Sequence, residues 1–361
     1  MSSPLSDKDL QTQVLRRILF RYSSVMKRTL TLILAIIVCA STRAQDPHFS
    51  QFFASPLTLN PAYTGKFDGT FRLAANYRDQ WPTINNAFRT ATASLDFPIL
   101  AKRLPEFDTW GVGILMLNDQ SGNKILNNNF FSVSTAYHKA LDENGFHTLT
   151  LGFQGTFANK RLDVSRADFE DELTALGFTG VTQEVFNNQQ VAINYFDMNT
   201  GLMYTGSTNG YNSFYFGASL YHLNRPKESF TGGNFTLNPR VTIHGGGYFP
   251  VGNNKTFHAS FIHQRQGGAT ETVLGGAMAF DVNGDETNPI NLYTGLWYRF
   301  NDAFIPYLGL EYSGFRLGFS YDLNNSSLNT ATNTRGGSEI SIIYIRKPSD
   351  PGNKRLACPK F

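Results

Sequence analysis

Seven histidines are the first candidates for catalysis or metal binding in this sequence. A zinc site needs His, Cys or carboxylate ligands spaced so that several turn toward one ion. His258 and His263 are five apart in a stretch that reads as a strand, so they point to opposite faces. No Cys-x-x-Cys or His-Glu-x-x-His spacing occurs. Asp281-Val282-Asn283-Gly284-Asp285 resembles the start of a calcium loop, but the closing bidentate Glu falls at position 292, which is Leu292. A hairpin turn accounts for it. Gly245-Gly246-Gly247 lies in a strand and lacks the following helix that anion binding requires, so it reads as a bend or as close packing in a wall. Neither a Gly-x-Ser-x-Gly elbow nor a phosphate loop is present. The sequence therefore nominates no catalytic, cofactor-binding or metal-binding residue. Its histidines read as polar groups facing a lumen or an interface.

The elements that carry these residues follow from composition and periodicity. Charged residues make up 16% of the chain, against roughly 25% in soluble domains. Aromatics reach 14%, yet mean hydropathy is −0.26, so uncharged polar residues balance the apolar ones. That mixture suits a protein with one lipid face and one wet face. A net charge of +3 is too small to argue for nucleic acid.

Met26-Lys27-Arg28, the apolar run from Leu30 to Ala40 and the small-residue site Ser41-Thr42-Arg43-Ala44 read as a signal peptide over 26–44. The run is shorter than the ~20 residues of a spanning helix. Residues 1–25 read as an upstream, non-native extension, and Gln45 as the mature first residue. Cys39 then leaves with the signal peptide, and Cys358 alone cannot form an internal disulfide. Val38 sits where lipoprotein processing wants a small residue, so acylation of Cys39 is not expected.

Beyond this point the chain alternates with period two over segments of about ten residues. Phe315, Leu317, Phe319, Tyr321 and Leu323 interleave with Arg316, Gly318, Ser320 and Asp322. The alternation predicts fourteen strands: 70–79, 88–96, 109–118, 129–138, 147–159, 195–205, 213–222, 240–249, 256–265, 270–281, 290–300, 304–312, 315–323 and 337–346. The fold class is all-β, a transmembrane outer-membrane barrel of fourteen antiparallel strands over 70–346. A non-strand N-terminal segment over 45–69 precedes it, periplasmic or in the lumen, and a periplasmic tail over 347–361 follows. Asn144-Gly145, Asn209-Gly210, Asn283-Gly284 and Ser313-Gly314 mark tight turns on one side. The longest connections, 160–193, 223–239 and 324–336, fall on the other, which reads as extracellular. Trp110, Tyr137, Tyr204, Tyr221, Tyr248, Trp297, Tyr298, Tyr312 and Tyr344 lie near segment ends, where interfacial girdles form. Inward positions read as mostly Gly, Ser, Thr, Asn and Gln, which favours a filled lumen over a channel with a charged constriction. On this register Phe319 faces lipid, whereas Ser320 faces a wet lumen, where arginine is better tolerated than at Phe319.

In 160–193, Ser165 followed by Asp168 gives a helix-start signature, and Phe169, Leu173 and Leu176 then share one helical face. An amphipathic helix there would meet a partner or pack on the rim.

The opening Gln45-Asp46-Pro47-His48-Phe49-Ser50-Gln51-Phe52-Phe53, Ser55-Pro56-Leu57 and Leu59-Asn60-Pro61-Ala62-Tyr63-Thr64-Gly65 resembles that of the PorP/SprF family of type IX secretion system membrane proteins. His222-Leu223-Asn224-Arg225-Pro226, Ser320-Tyr321-Asp322-Leu323, Gly336-Gly337-Ser338-Glu339-Ile340-Ser341 and the terminal Cys358-Pro359-Lys360-Phe361 resemble it as well. The resemblance spans Gln45 to Phe361. It implies a non-enzymatic outer-membrane component supporting export or surface attachment of cargo such as adhesins, in some bacteria with gliding motility. The partners so implied are the secretion machinery and a cargo with a C-terminal sorting domain. Competing functions are a channel or small-molecule transporter and an outer-membrane hydrolase. Five aromatics over 45–69, Phe49, Phe52, Phe53, Tyr63 and Phe67, speak against a frayed terminus and for a segment that plugs the lumen or docks elsewhere.

Overall fold

The computed structural model describes residues 46–84, 87–101, 103–183, 185, 190–230, 232–252, 254–284 and 290–347. Readings that fall on 1–45, Asp285 or Cys358 to Phe361 lie outside these residues. Fourteen strands close into one antiparallel barrel. They are β1 (Phe71–Gln80), β2 (Phe88–Ile99), β3 (Thr109–Ser121), β4 (Leu126–Ala140), β5 (Thr148–Asp163), β8 (Gln190–Gly206), β9 (Ser213–Tyr221), β10 (Arg240–Pro250), β11 (Lys255–Gln266), β12 (Ala269–Asp281), β13 (Ile290–Arg299), β14 (Ala303–Tyr312), β15 (Phe315–Asn324) and β16 (Arg335–Arg346). Two short strands, β6 (Leu173–Thr174) and β7 (Gly177–Phe178), form a separate hairpin between β5 and β8. The first and last strands pair without a gap, from Phe71 with Arg346 to Gln80 with Gly337, so the barrel sheet has no open edge.

Period-two patterning explains the wall. Leu149, Leu151, Phe153 and Phe157 of β5 are exposed outward, while Thr150, Gln154 and Thr156 between them are buried. An apolar exterior of this kind is stable only against lipid. Aromatics cluster at the end bearing 100–108, 141–147, 207–212 and 313–314, here the turn end: Tyr344 stacks on Phe315 at 4.2 Å, and Trp110 meets Tyr137 edge-on at 6.4 Å. The opposite, loop end carries 164–189, 222–239 and 325–334.

Three expectations change. Tyr221, Tyr248 and Trp297 are not girdle residues: they are only 6%, 7% and 2% exposed and face the lumen. Strand parity requires this at Trp297, whose neighbour Tyr298 points the other way. The Asn144-Gly145 and Asn209-Gly210 turns are wider than two residues. At the first, the Asp142 carboxylate accepts from the backbone of Phe146 (3.1 Å) and His147 (2.7 Å), stabilising the longer connection. Of the turns marked in the sequence, Ser313-Gly314 spans two residues, with φ of 50° and 82°. Finally, β4, β5 and β8 run to 15, 16 and 17 residues, past the apolar band at the loop end, because Asn and Arg replace apolar residues there without ending the pairing.

Candidate functional site

Residues 46–70 thread the lumen from the loop end to the turn end. The segment has no room to extend as a strand, because Pro47, Pro56 and Pro61 each remove a backbone donor. It folds instead into short helical turns, Phe52–Ala54, Pro56–Leu59 and Pro61–Tyr63, whose side chains are nearly all buried.

At the loop end Asp46 is held by β10, β11 and the residue that follows β9. Its backbone N–H donates to Gln266 Oε1 at 2.8 Å. Its carboxylate accepts from His222 Nε2 at 2.8 Å and lies 3.3 Å from Arg240 Nη1. The other ring nitrogen, Nδ1, meets Asp197 Oδ2 at 2.9 Å. Burial disfavours the His222 cation, but the charge of Asp46 and the hydrogen bonds to Asp197 and Asp46 outweigh it, and the imidazole is raised to about 9. His48 is the opposite case: burial dominates, Arg78 and Arg299 add to it, and its value falls to about 4 despite Glu271 at 3.5 Å.

One layer deeper, Ser50 and Gln51 meet a buried cluster of charges. The backbone N–H groups of Ser50 and Gln51 donate to the two oxygens of Glu339, at 2.8 and 3.1 Å. Ser50 Oγ donates to Asp322 at 2.7 Å and accepts from Arg78 and from Arg299. Gln51 Nε2 donates to Ser320 Oγ, and Ser341 Oγ donates back to Gln51 Oε1. Buried charges persist only when paired and hydrogen-bonded, and here the segment supplies part of that pairing.

Below this the Phe53 ring stacks on Trp297 at 4.8 Å and meets Tyr307 edge-on. Asn60 is fully buried; its amide donates to the carbonyls of Leu202 and Ala218 and lies 3.0 Å from His244 Nε2, while its Oδ1 accepts from Ala62. Inward-facing glycines make the space. A Cβ at Gly201 would sit 1.7 Å from Asn60 Oδ1, one at Gly152 2.4 Å from the Ala62 nitrogen, and one at Gly111 2.1 Å from the Thr64 carbonyl. At the turn end Gly65 N–H donates to Asp96, itself held by Arg72 through two bonds, and Thr70 N–H donates to the Arg346 carbonyl at 2.7 Å.

The motif residues Asp46, Pro47, Phe49, Ser50, Gln51, Asn60, Pro61, Ala62 and Gly65 thus all lie inside the barrel, together with His222 of the second motif. The lumen also holds the charges Arg72, Arg78, Asp96, Arg299 and Glu339, although inward positions read as mostly neutral in the sequence. Inward parity of a charged residue was the available signal, as at Arg316 and Asp322.

The proposed partner residues are arranged differently from expectation. Residues 166–178 are not a helix. Val164–Arg166 and Glu170–Glu172 form 3-10 turns, and Leu173 pairs with Phe178 across the β6–β7 hairpin. The Asp171 carboxylate accepts from Thr182 and from the Gln183 backbone at 2.5 Å, folding the chain back on itself, and Gly177 has a φ of 114° that no helix contains. Phe169 is half-buried, whereas Leu173, Phe178 and the tip residue Leu176 are exposed, so no shared helical stripe exists. Arg225 is exposed with a φ of 45°, while Pro226 is buried and its carbonyl accepts from Leu237 at 3.0 Å.

The titrations give a first prediction. Raised in the fold, His222 contributes fully below its unfolded value near 6.5 and loses that contribution as pH rises through about 9. Lowered in the fold, His48 contributes fully above 6.5 and loses it as pH falls through about 4. Backbone amide protection over residues 46–52, read by hydrogen exchange, should therefore peak near pH 6.5. His222→Gln should flatten the alkaline limb alone; an unchanged alkaline limb would show that His222 does not hold Asp46.

A search of curated proteins returns no match. Among solved structures, the barrel is similar to the Ralstonia pickettii toluene transporter TbuX, at 9% identity over 82% of this chain and 94% of that one, TM-score 0.48. It is also similar to a Pseudomonas aeruginosa FadL homologue, at 9% identity over 79% and 92%, TM-score 0.44. A family profile described as type IX secretion system membrane protein PorP/SprF matches residues 41–344. With a closed outer-membrane barrel and that match across most of its length, the chain belongs to the PorP/SprF family of type IX secretion system membrane proteins.

Proposed function

We propose that this barrel is a non-conducting outer-membrane scaffold for type IX secretion, holding a cargo with a C-terminal sorting domain at its loop end during export or surface attachment. The observation that carries this reading is the lumen, occupied from Asp46 to Thr70 by the chain's own N-terminal segment. A solute channel or small-molecule transporter needs that space. A scaffold does not, and a rigid filled barrel presents its loops at fixed positions. On this reading 26–44 is a cleaved signal peptide, the loop end faces outward and the turn end faces the periplasmic machinery. The β6–β7 hairpin offers Leu173, Leu176 and Phe178 to solvent beyond the wall, and exposed apolar groups grouped in this way favour protein contact.

Pulldown of the tagged barrel from native membranes should recover secretion components or a large surface protein. Deleting 166–178, or combining Leu176→Asp with Phe178→Asp, should lower cell-surface cargo several-fold at matched barrel levels. The pairing that closes the barrel does not involve these residues, so heat-modifiable gel mobility should stay normal. Undiminished surface cargo with a folded barrel would exclude the hairpin and turn attention to 223–239.

A further inference from the structure

The outer wall of β3, β4, β5 and β8 carries a row of asparagines in one register. Asn118 faces Asn129, Asn129 faces Asn159, and Asn159 faces Asn194, so four adjacent strands present the same side chain in one register row. All four point outward, continuing the parity of Met116, Phe131, Phe157 and Phe196, which lie one outward position nearer the membrane and are exposed. The row therefore begins where the apolar band stops. Its amides are aligned by mutual hydrogen bonds: Asn118 Nδ2 donates to Asn129 Oδ1 at 2.8 Å and to Asn127 Oδ1 at 2.7 Å, and Asn159 Nδ2 donates to Asn194 Oδ1 at 2.6 Å. Gln120 donates to Asn118, and Arg161 Nε donates to Asn159 Oδ1, extending the row away from the membrane.

We propose that this amide wall binds the sugar portion of a glycolipid in the outer leaflet, resting on the reading that the loop end faces outward. Each primary amide offers two donors and an acceptor with two lone pairs, so after the bonds within the row each still has capacity toward a ligand. Neighbouring strands are ~4.8 Å apart, a spacing that suits alternate hydroxyls of a sugar ring. Neutral amides match hydroxyls, whereas lipid phosphates call for Lys and Arg. Charge is sparse here, with Arg161 the one cation in the two rows. Continuity with the lipid-facing band fixes the source: what stands against the wall at this height is the headgroup of a neighbouring lipid. Elsewhere on the loop-end rim the outward residues are different, as at Arg89, Asp79 and His263, so the amide patch is confined to one side.

The test uses the full mature barrel purified in detergent. The probes are lipopolysaccharide with intact core sugars and the same lipid stripped of those sugars by mild acid, with binding read by native mass spectrometry. The intact form should bind at least about tenfold more tightly, the loss of one or two hydrogen bonds being worth roughly that factor. Asn129→Leu with Asn159→Leu should abolish the difference, while His263→Leu, elsewhere on the wall, should keep it; heat-modifiable mobility confirms that both variants fold. Equal binding of the two lipids, or a difference that survives the Asn pair in a folded barrel, overturns the proposal. So does a barrel dimer that the Asn pair dissolves, which would assign the wall to a second copy. None of these readouts depends on which end faces outward, so an inverted barrel would surface separately, in labelling of loop residues on intact cells.

Discussion

A barrel carrying Gly152→Val together with Gly201→Val should lose its plug and conduct ions. The two residues face each other on β5 and β8, and the turn Asn60-Pro61-Ala62 rests directly on them. The approach is far inside van der Waals contact: an added Cβ at Gly201 would stand 1.7 Å from Asn60 Oδ1. The neighbours cannot yield, since Asn60 is bonded to the Leu202 and Ala218 carbonyls and sits beside His244. Overpacking costs roughly 1–3 kcal/mol per site, and each buried hydrogen bond lost adds about 1 kcal/mol. The wall is held by fourteen ladders that these side chains do not touch, so the segment should give way before the barrel does. Planar-bilayer recordings should then show discrete openings, and protease should cut between residues 46 and 66. Gly155→Ala is the control: it faces outward, where a Cβ meets only the Phe196 ring at 3.0 Å. Silent bilayers and a protease-resistant N-terminus in the double variant would show that the segment seats by some other means.

How much of this was legible in the sequence differs between wall and lumen. The wall was almost fully readable because a strand that faces lipid on one side must alternate. A single-residue slip would turn Phe319 and Leu317 inward, so the pattern determines the register. Strand ends were less visible where polar strands run past the membrane. Asn127 and Asn129 carry no apolar alternation, yet their ladder continues. The lumen was harder because inward residues answer to partners far away in sequence: Glu339 is meaningful only beside Ser50 and Gln51, 289 and 288 residues earlier. The aromatic and proline content of 45–69 said that the segment is ordered, without saying what it touches. The 166–178 error has a local cause. Apolar spacing at three and four residues suits a helix, but Asp171 finds acceptor work in Thr182 and Gln183, and Gly177 breaks the run. Such side-chain competition with the backbone is what turns short segments away from helix.

Phe319→Arg and Ser320→Arg should both be damaging, at different stages. Adjacent on β15, they point to opposite faces: Phe319 is 45% exposed on the wall and Ser320 is 1% exposed in the lumen. Phe319 lies mid-strand between Leu308 and Ile340, so an arginine there meets the hydrocarbon and costs roughly 2–4 kcal/mol. Assembly should fail, and the gel band should lose its heat-modifiable shift. Ser320 still tolerates arginine better than Phe319 does, but the lumen beside it is filled rather than wet. Ser320 Oγ accepts from Gln51 Nε2, and its cross-strand partner is Glu339, which holds the backbone of Ser50 and Gln51. An arginine at 320 would both displace Gln51 and compete for Glu339, in a cluster already containing Arg78 and Arg299. The barrel can still close, because its ladder and lipid face are untouched. The expected Ser320→Arg protein is therefore folded by gel mobility yet cleavable within residues 46–60, whereas Phe319→Arg is not folded at all. If Ser320→Arg kept a protease-resistant N-terminus, the lumen at that height would be wet after all, and the segment would not be seated against β15 and β16.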